Sequence, residues 1–245
     1  MIVDHEHLSS RYDRSMELLR NYMEEATKRN NIITKTEVGN NFRDNALRRH
    51  SGWGVSQVEG PRGMSECAIV FDRNFYQPVR PPHTVALASK EGIGGEDTIQ
   101  MIVSTYDTED GRIRVGAFHG PAKIEGKFGL RKDNPDDVAA HREMMMSMTS
   151  IMRHWHHKSS LAGWMITGDL NLSVRLWWVR RYLNKQLPPY IRYNWQGHLP
   201  ATGGTHGNRR VIDLTFYGKM QLLRTSILKN HESSDHNPFA DAYLL

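Results

Sequence analysis

The sequence is poor in cysteine, since Cys67 is its only one. A single cysteine excludes an internal disulfide and a zinc site built from several thiolates. Long apolar runs are also absent, since stretches such as IQMIV and GWMIT are far shorter than the roughly 20 residues that span a bilayer. The start, MIVDHEHLSS, has acids where a signal peptide has a basic region followed by an apolar one. We therefore expect a cytoplasmic protein without membrane association, in which any metal is held by oxygen or imidazole.

The composition is that of a folded protein with a preference for anionic partners. Hydrophobic residues make up 38% and charged residues 24% of the 245 positions, which is enough for a packed core. The length allows one large domain or two small ones, and we predict a single domain over residues 1–245. The formal charge of +5 favours anions such as nucleic acid, although many basic proteins simply have basic surfaces.

Hydrophobic periodicity predicts strands in runs and two long helices. Residues 13–29 form an amphipathic pattern, and a second helix is predicted to begin at Asn134 and Pro135. Between them, NIITKTEV, MSECAIVFD, HTVALAS, TIQMIVSTYD and RIRVGAFH read as strands, and the run from MSECAIVFD to RIRVGAFH reads as a β meander. LAGWMITGDLN reads as a short strand broken by Gly168, and VIDLTFYG as another strand. This order favours an α/β sandwich with mixed sheets. The predicted buried stripe of the second helix comprises Val138, Met145, Met148, Met152 and Trp155.

Four acids lie at or beside the ends of these apolar strands, namely Glu37, Asp169, Asp213 and Asp235. One such acid is ordinarily a solvated loop residue. Several at strand ends can share a site, because strand ends at one edge of a sheet converge.

Short motifs connect this pattern to a known family. GDLN at 168–171, ID within VIDLTFYG and SDHNP at 234–238 follow in this order, with TEV upstream and AFH at 117–119 between. Together they resemble the endonuclease/exonuclease/phosphatase superfamily, whose best-known type is DNase I, over nearly the whole chain. The resemblance implies a four-layer α/β/β/α sandwich of two mixed sheets. It also implies hydrolysis of phosphate esters that depends on Mg²⁺ or Mn²⁺.

The resemblance further implies roles around a metal ion and the attacking water. Glu37 would be the main ligand of a hard divalent cation, and Asp235 would lie near the same ion. Asp169 would orient or deprotonate the water, while Asn171 would donate an amide hydrogen bond to a phosphoryl oxygen. Gly168 would let the backbone turn and approach the substrate.

Two histidines would flank the scissile phosphate by the same resemblance. His119 and His236 would stabilise the charge of the transition state or act as general acid and base. Asp213 would orient His236, and Glu66 would orient His119, although an exposed strand-edge acid is an equal alternative for Glu66.

The opening segment departs from the superfamily, which has an Asn at the end of its first strand. MIVDHEHL contains none, and residues 4–7 are the candidates to replace it. An inactive nucleic-acid-binding protein therefore stays open as an alternative. His154, His156 and His157 in HWHHK are interpreted as the end of a helix, where they interact with its dipole, and not as zinc ligands.

Basic and aromatic residues favour a polynucleotide substrate. RLWWVRRYL combines arginines with aromatic rings, although helical spacing equally allows Trp178 and Tyr182 to pack inward. In GGTHGNRR, Arg209 and Arg210 are candidate phosphate contacts. We expect a monomeric nuclease with DNA favoured over RNA, and keep a phosphomonoesterase for a small substrate as a further alternative.

Overall fold

The structure is a computed structural model that describes residues 32–36, 38, 42–47, 51–58, 67–92, 95–197, 199, 205–206, 210–227 and 239–245. The predicted helix over residues 13–29 and the candidate replacements at 4–7 lie outside these ranges.

The smaller main sheet consists of β1 (Ile32–Thr36), β2 (Trp53–Ser56) and β3 (Cys67–Asp72), and a short helix, α1 (Phe42–Leu47), connects β1 to β2. Its strands are antiparallel in the order β1, β3, β2. Every side chain of the central strand β3 is buried. Successive side chains of a strand point to opposite faces. Ala68 and Val70 accordingly pack with Phe42, while Ile69 and Phe71 face the larger sheet.

Within the described ranges the larger sheet has seven strands: β4 (Gln77–Pro78), β5 (His83–Gly92), β6 (Gly95–Thr108), β7 (Gly111–His119), β8 (Gly163–Asp169), β9 (Arg192–Tyr193) and β10 (Asp213–Gly218). β4 and β5 both pair with β6, and the order then continues through β7, β8 and β10 to β9. The predicted meander is confirmed for β5, β6 and β7, which pair antiparallel in succession, but β3, its predicted first strand, belongs to the smaller sheet. β7 and β8 are parallel, and a long helix connects them.

Two helices cover the outer face of the larger sheet, namely α2 (Pro135–His157) and α3 (Trp177–Gln186). α2 begins with Asn134 as its N-cap and with acids in its first turn, as the sequence indicated. All five residues of its predicted stripe are buried. In α3, Trp178 is buried and Tyr182 packs against the core, which confirms the inward-packing alternative for RLWWVRRYL. No helix within the described ranges is long and apolar enough to cross a membrane.

A two-stranded ribbon of β11 (Gln221–Ile227) and β12 (Phe239–Leu244) lies beside β10. The carboxylate of Asp241 accepts hydrogen bonds from Asn194 Nδ2 at 3.1 and 3.2 Å, from the Tyr243 hydroxyl at 3.1 Å and from the Thr225 hydroxyl. Burial raises the pKa of this carboxyl. The Tyr217 and Tyr243 rings, 5.0 Å apart, make a second contact between the ribbon and the sheet.

The layers follow the order α1, smaller sheet, larger sheet, then α2 and α3. The two sheets share an apolar cluster, and separate clusters fill the spaces beneath the helices. This arrangement confirms the predicted four-layer α/β/β/α sandwich. One local prediction was wrong: β8 runs unbroken through Gly168. A Cβ atom at Gly168 would lie 1.9 Å from the Phe118 carbonyl oxygen, so the glycine permits close approach of β7 and not a turn toward substrate.

Candidate active site

Three predicted site residues stand side by side at one edge of the larger sheet. Asp169, the last residue of β8, pairs with His119 at the end of β7 and with Asp213 at the start of β10. Neighbouring strands are about 4.8 Å apart, and directly opposite side chains point to the same face. We call these three residues the catalytic row, after the role that is proposed for them below.

Asp169 and Asn171 form a tight turn at the end of β8. The Asn171 backbone N–H donates to Asp169 Oδ1 at 2.6 Å, and Asn171 has a φ of 56°. Asn adopts this left-handed conformation more readily than most residues. Its amide Nδ2 donates to the Gly120 carbonyl at 2.9 Å, and the Gly120 N–H donates to the Asp169 carbonyl at 2.8 Å. The turn therefore fixes both residues against the end of β7.

The start of β10 is held by a buried threonine that the sequence did not single out. Thr205 Oγ1 accepts the backbone N–H groups of Ile212 at 2.9 Å and of Asp213 at 3.0 Å. The Leu170 N–H donates to the Ile212 carbonyl at 2.9 Å, which ties this segment to β8. Trp195 Nε1 donates to the Asp213 carbonyl at 3.0 Å. The backbone of Asp213 is thus fixed by Thr205 and Trp195, and that of its neighbour Ile212 by Thr205 and Leu170.

Arg210 lies beside the Asn171 turn. Its Nη2 donates to the Asn171 carbonyl at 3.3 Å, and its Nε lies 3.4 Å from Glu125 Oε1. The Glu125 carboxylate also accepts the Ser173 backbone N–H. Arg210 therefore lies at the edge where a phosphate contact was predicted, but its charge is shared with an acid.

Solved structures of low sequence identity share this architecture. The mannosyl-6-phosphatase of Bacteroides thetaiotaomicron is 14% identical, with a TM-score of 0.70 over 96% of this chain and 92% of that one. TDP2 of D. rerio complexed with a single-strand DNA product is 10% identical, with a TM-score of 0.70 over 99% and 96%. The human Nocturnin catalytic domain is 15% identical, with a TM-score of 0.60 over 93% and 86%.

The chain has the DNase I-like fold of the endonuclease/exonuclease/phosphatase superfamily. The resemblance drawn from the sequence motifs is thereby confirmed at the level of the fold. No protein-family model and no curated protein matches the chain.

Five residues predicted from the superfamily motifs lie outside the described ranges: Glu37, Glu66, Arg209, Asp235 and His236. Two of them adjoin a described pair, because Thr36 at the end of β1 pairs with Cys67 at the start of β3. β1 packs against β7 and β8, the strands that carry His119 and Asp169. Among the residues that the structure describes, no three His, Cys, Asp or Glu side chains gather as a metal site.

Proposed function

We propose that the protein is a metal-dependent phosphodiesterase that hydrolyses nucleic acid, with DNA as the expected substrate. One observation supports this more than any other: His119, Asp169 and Asp213 occupy directly opposite positions on three neighbouring strands. Residues to which the superfamily motifs give roles in phosphate-ester hydrolysis thus lie together at one edge of the sheet.

The acids of the catalytic row fit a divalent cation nearby. Asp169 is 1% and Asp213 9% exposed, and like charges directly opposite each other in a sheet are unfavourable. Carboxylate oxygens are the ligands that Mg²⁺ prefers. We propose Glu37 and Asp235 as the residues that hold the ion. When bound, such a cation supplies Lewis-acid stabilisation of charge on the phosphate.

The residues of the catalytic row and its turn then divide the chemistry. Asp169 would accept a proton from the attacking water, and the bond from the Asn171 N–H to Oδ1 orients its carboxylate. The Asn171 amide nitrogen carries two hydrogens, so it can keep its bond to Gly120 and donate the other to a phosphoryl oxygen. His119 would stabilise charge on the phosphate from the neighbouring strand.

The position of the ribbon supports a role for His236. Asp241 bonds Thr215 of β10, and the Tyr243 ring contacts that of Tyr217 two residues further along both strands. Two residues earlier on both strands, Phe239 at the start of β12 is therefore level with Asp213. His236 precedes Phe239 by three residues, a reach of at most about 10 Å. We propose that Asp213 orients His236 there.

Nucleic acid is the substrate class that the charge and the fold neighbours support best. The formal charge is +5, and TDP2, of similar fold, was crystallised with a single-strand DNA product. A phosphomonoesterase is the second candidate, because the mannosyl-6-phosphatase matches the fold with the same TM-score of 0.70. A binding protein without catalysis is the third, given the missing first-strand Asn.

Nicking of supercoiled plasmid tests the proposal. We expect nicking that depends on Mg²⁺ and is abolished by EDTA. Asp169→Asn and His119→Ala are each expected to reduce the nicking rate by about 100-fold or more. Asp107→Asn is the matched control, since Asp107 lies at the β6–β7 hairpin, away from the catalytic row, in a surface pair with Arg112. Full activity in EDTA, or in Asp169→Asn, would exclude the mechanism. Release of phosphate from a sugar phosphate, with plasmid left intact, would favour the second candidate.

A further inference from the structure

A small hairpin projects from the edge that carries the catalytic row. After β7 ends at His119, residues 124–131 fold back on themselves, with an antiparallel bridge between Glu125 and Leu130. The Gly126 N–H donates to the Gly129 carbonyl at 2.9 Å, which closes a turn with Lys127 and Phe128 at its tip. We call residues 124–131 the arm.

The arm is braced against the segments that form the site. At its base Ile124 is fully buried in the main core, and the Arg131 N–H donates to the Ile124 carbonyl at 3.0 Å. The Glu125 carboxylate accepts the Ser173 N–H and pairs with Arg210, which in turn bonds the Asn171 carbonyl. A chain of polar contacts therefore connects the base of the arm to the Asn171 turn at the end of β8.

The tip presents an aromatic ring to solvent among basic side chains. Phe128 is 75% exposed, and Lys127 Nζ lies 5.2 Å from its ring centroid. Lys123, just before the arm, and Lys132, just after it, are exposed as well. The acids of this loop are already paired, because Glu125 binds Arg210 and Asp133 binds Arg131.

A second exposed aromatic ring lies on the next segment that leaves the same edge. Trp177 is 59% exposed and begins α3, while its neighbour Trp178 is buried. The segment before it is fixed by Arg180, whose Nη1 donates to the Val174 carbonyl at 2.8 Å and to the Arg175 carbonyl at 3.2 Å. Both rings are therefore carried by segments that hydrogen bonds fix to the rest of the fold.

We infer that the arm and Trp177 form a binding surface for single-stranded nucleic acid, in which Phe128 stacks on a base while Lys127 and its basic neighbours contact phosphates. Exposed aromatic rings interleaved with cations are what unpaired bases and their backbone require, and duplex bases are already stacked on one another. The biological role of this surface rests on the proposed function. The inference goes beyond that function because it names residues that bind the strand outside the reacting centre.

Binding of a short fluorescein-labelled oligothymidylate, followed by anisotropy in EDTA, separates the two proposals, because it needs no catalysis. We expect Phe128→Ala to weaken binding about fivefold or more, the low end for one lost base stack, and Phe128→Trp to preserve it. Trp177→Ala is expected to act in the same direction. Met146→Ala is the matched control, since Met146 is 63% exposed on α2. Rates on a small chromogenic phosphodiester should not change in any of these variants.

Two results would overturn the inference. The first is wild-type protein that does not bind the oligonucleotide, or that binds the matching duplex better. The second is a Phe128→Ala variant that binds as the Met146→Ala control does. The proposed function fails separately, if wild-type protein binds the strand and never cleaves it.

Discussion

Substitution of Gly168 by alanine tests whether close contact of β7 and β8 holds the catalytic row together. A Cβ atom at this position would lie 1.9 Å from the Phe118 carbonyl oxygen and 2.7 Å from Phe118 Cδ1. Phe118 and Gly168 are opposite each other, one step before the pair formed by His119 and Asp169. Any movement that relieves the clash therefore acts directly on the site.

The size of the effect follows from these distances. Ordinary contact begins at 3.4 Å, so the carbonyl and the new methyl group must separate by about 1.5 Å, which is 3.4 minus 1.9. Overpacking of this kind costs about 1–3 kcal/mol. Each backbone hydrogen bond lost where the strands part adds about 1 kcal/mol. We expect Gly168→Ala to lower the free energy of unfolding by about 3 kcal/mol, a large share of the total for most domains. Misplacement by about 1 Å can also reduce catalysis by about 100-fold.

Urea unfolding followed by tryptophan fluorescence measures the first effect, and plasmid nicking under native conditions measures the second. Gly52→Ala is the matched control, because a Cβ atom there would meet nothing within 4 Å. If Gly168→Ala and Gly52→Ala have unfolding free energies within about 0.5 kcal/mol of each other, the strands can adjust freely and the reasoning is wrong.

Three further predictions concern buried or partly buried polar groups. Burial, with a smaller effect from a neighbouring arginine, lowers the pKa of His141 from 6.5 to about 4. The unfolded chain therefore takes up this proton first as the pH falls, and stability drops by about 3 kcal/mol between pH 7 and pH 4. In urea titrations, His141→Leu should remove this loss of stability at low pH. His154→Gln, at an exposed position on the same helix, should retain the loss. Equal pH dependence of stability in the two variants would contradict the attribution to His141. Asp241→Ala removes the acceptor of four side-chain donors and should lower the free energy of unfolding in urea by about 3 kcal/mol. Asp241→Asn should cost less, and a loss below about 1 kcal/mol in Asp241→Ala would contradict the prediction. Thr205→Val should lower kcat for nicking more than it changes KM, because Asp213 loses its backbone anchor, and Thr205→Ser should restore kcat; an unaltered kcat in Thr205→Val would show that the anchor is dispensable.

Local patterns in the sequence were sufficient for the long elements. The meander of β5, β6 and β7 and the buried stripe of α2 were predicted because each repeats over enough residues to show its period. β4 and β9 have only two residues each, and they exist because β6 and β10 offer hydrogen-bond partners far away in the sequence. No local signal distinguishes such strands from loop.

Gly168 shows where a local rule fails. Read alone, a glycine within a short apolar run can mark an irregularity of the strand or close approach of another backbone, and a break was predicted here. In the fold the same glycine lies inside an unbroken strand, since the carbonyl of Phe118 on a neighbouring strand leaves no room for a side chain. The need for a glycine at position 168 therefore comes from a strand in another part of the chain.

The site divides in the same way. The residue types at the strand ends, and the motifs GDLN and SDHNP, indicated by sequence alone which chemistry to look for and which side chains to consider. Only the tertiary structure decided that His119, Asp169 and Asp213 share one row, that Thr205 holds Asp213, and that Glu125 connects Arg210 to the arm. The physical reason is that motifs record side-chain chemistry, which is local, whereas register between strands depends on hydrogen bonds and packing between segments that are about 40 to 50 residues apart.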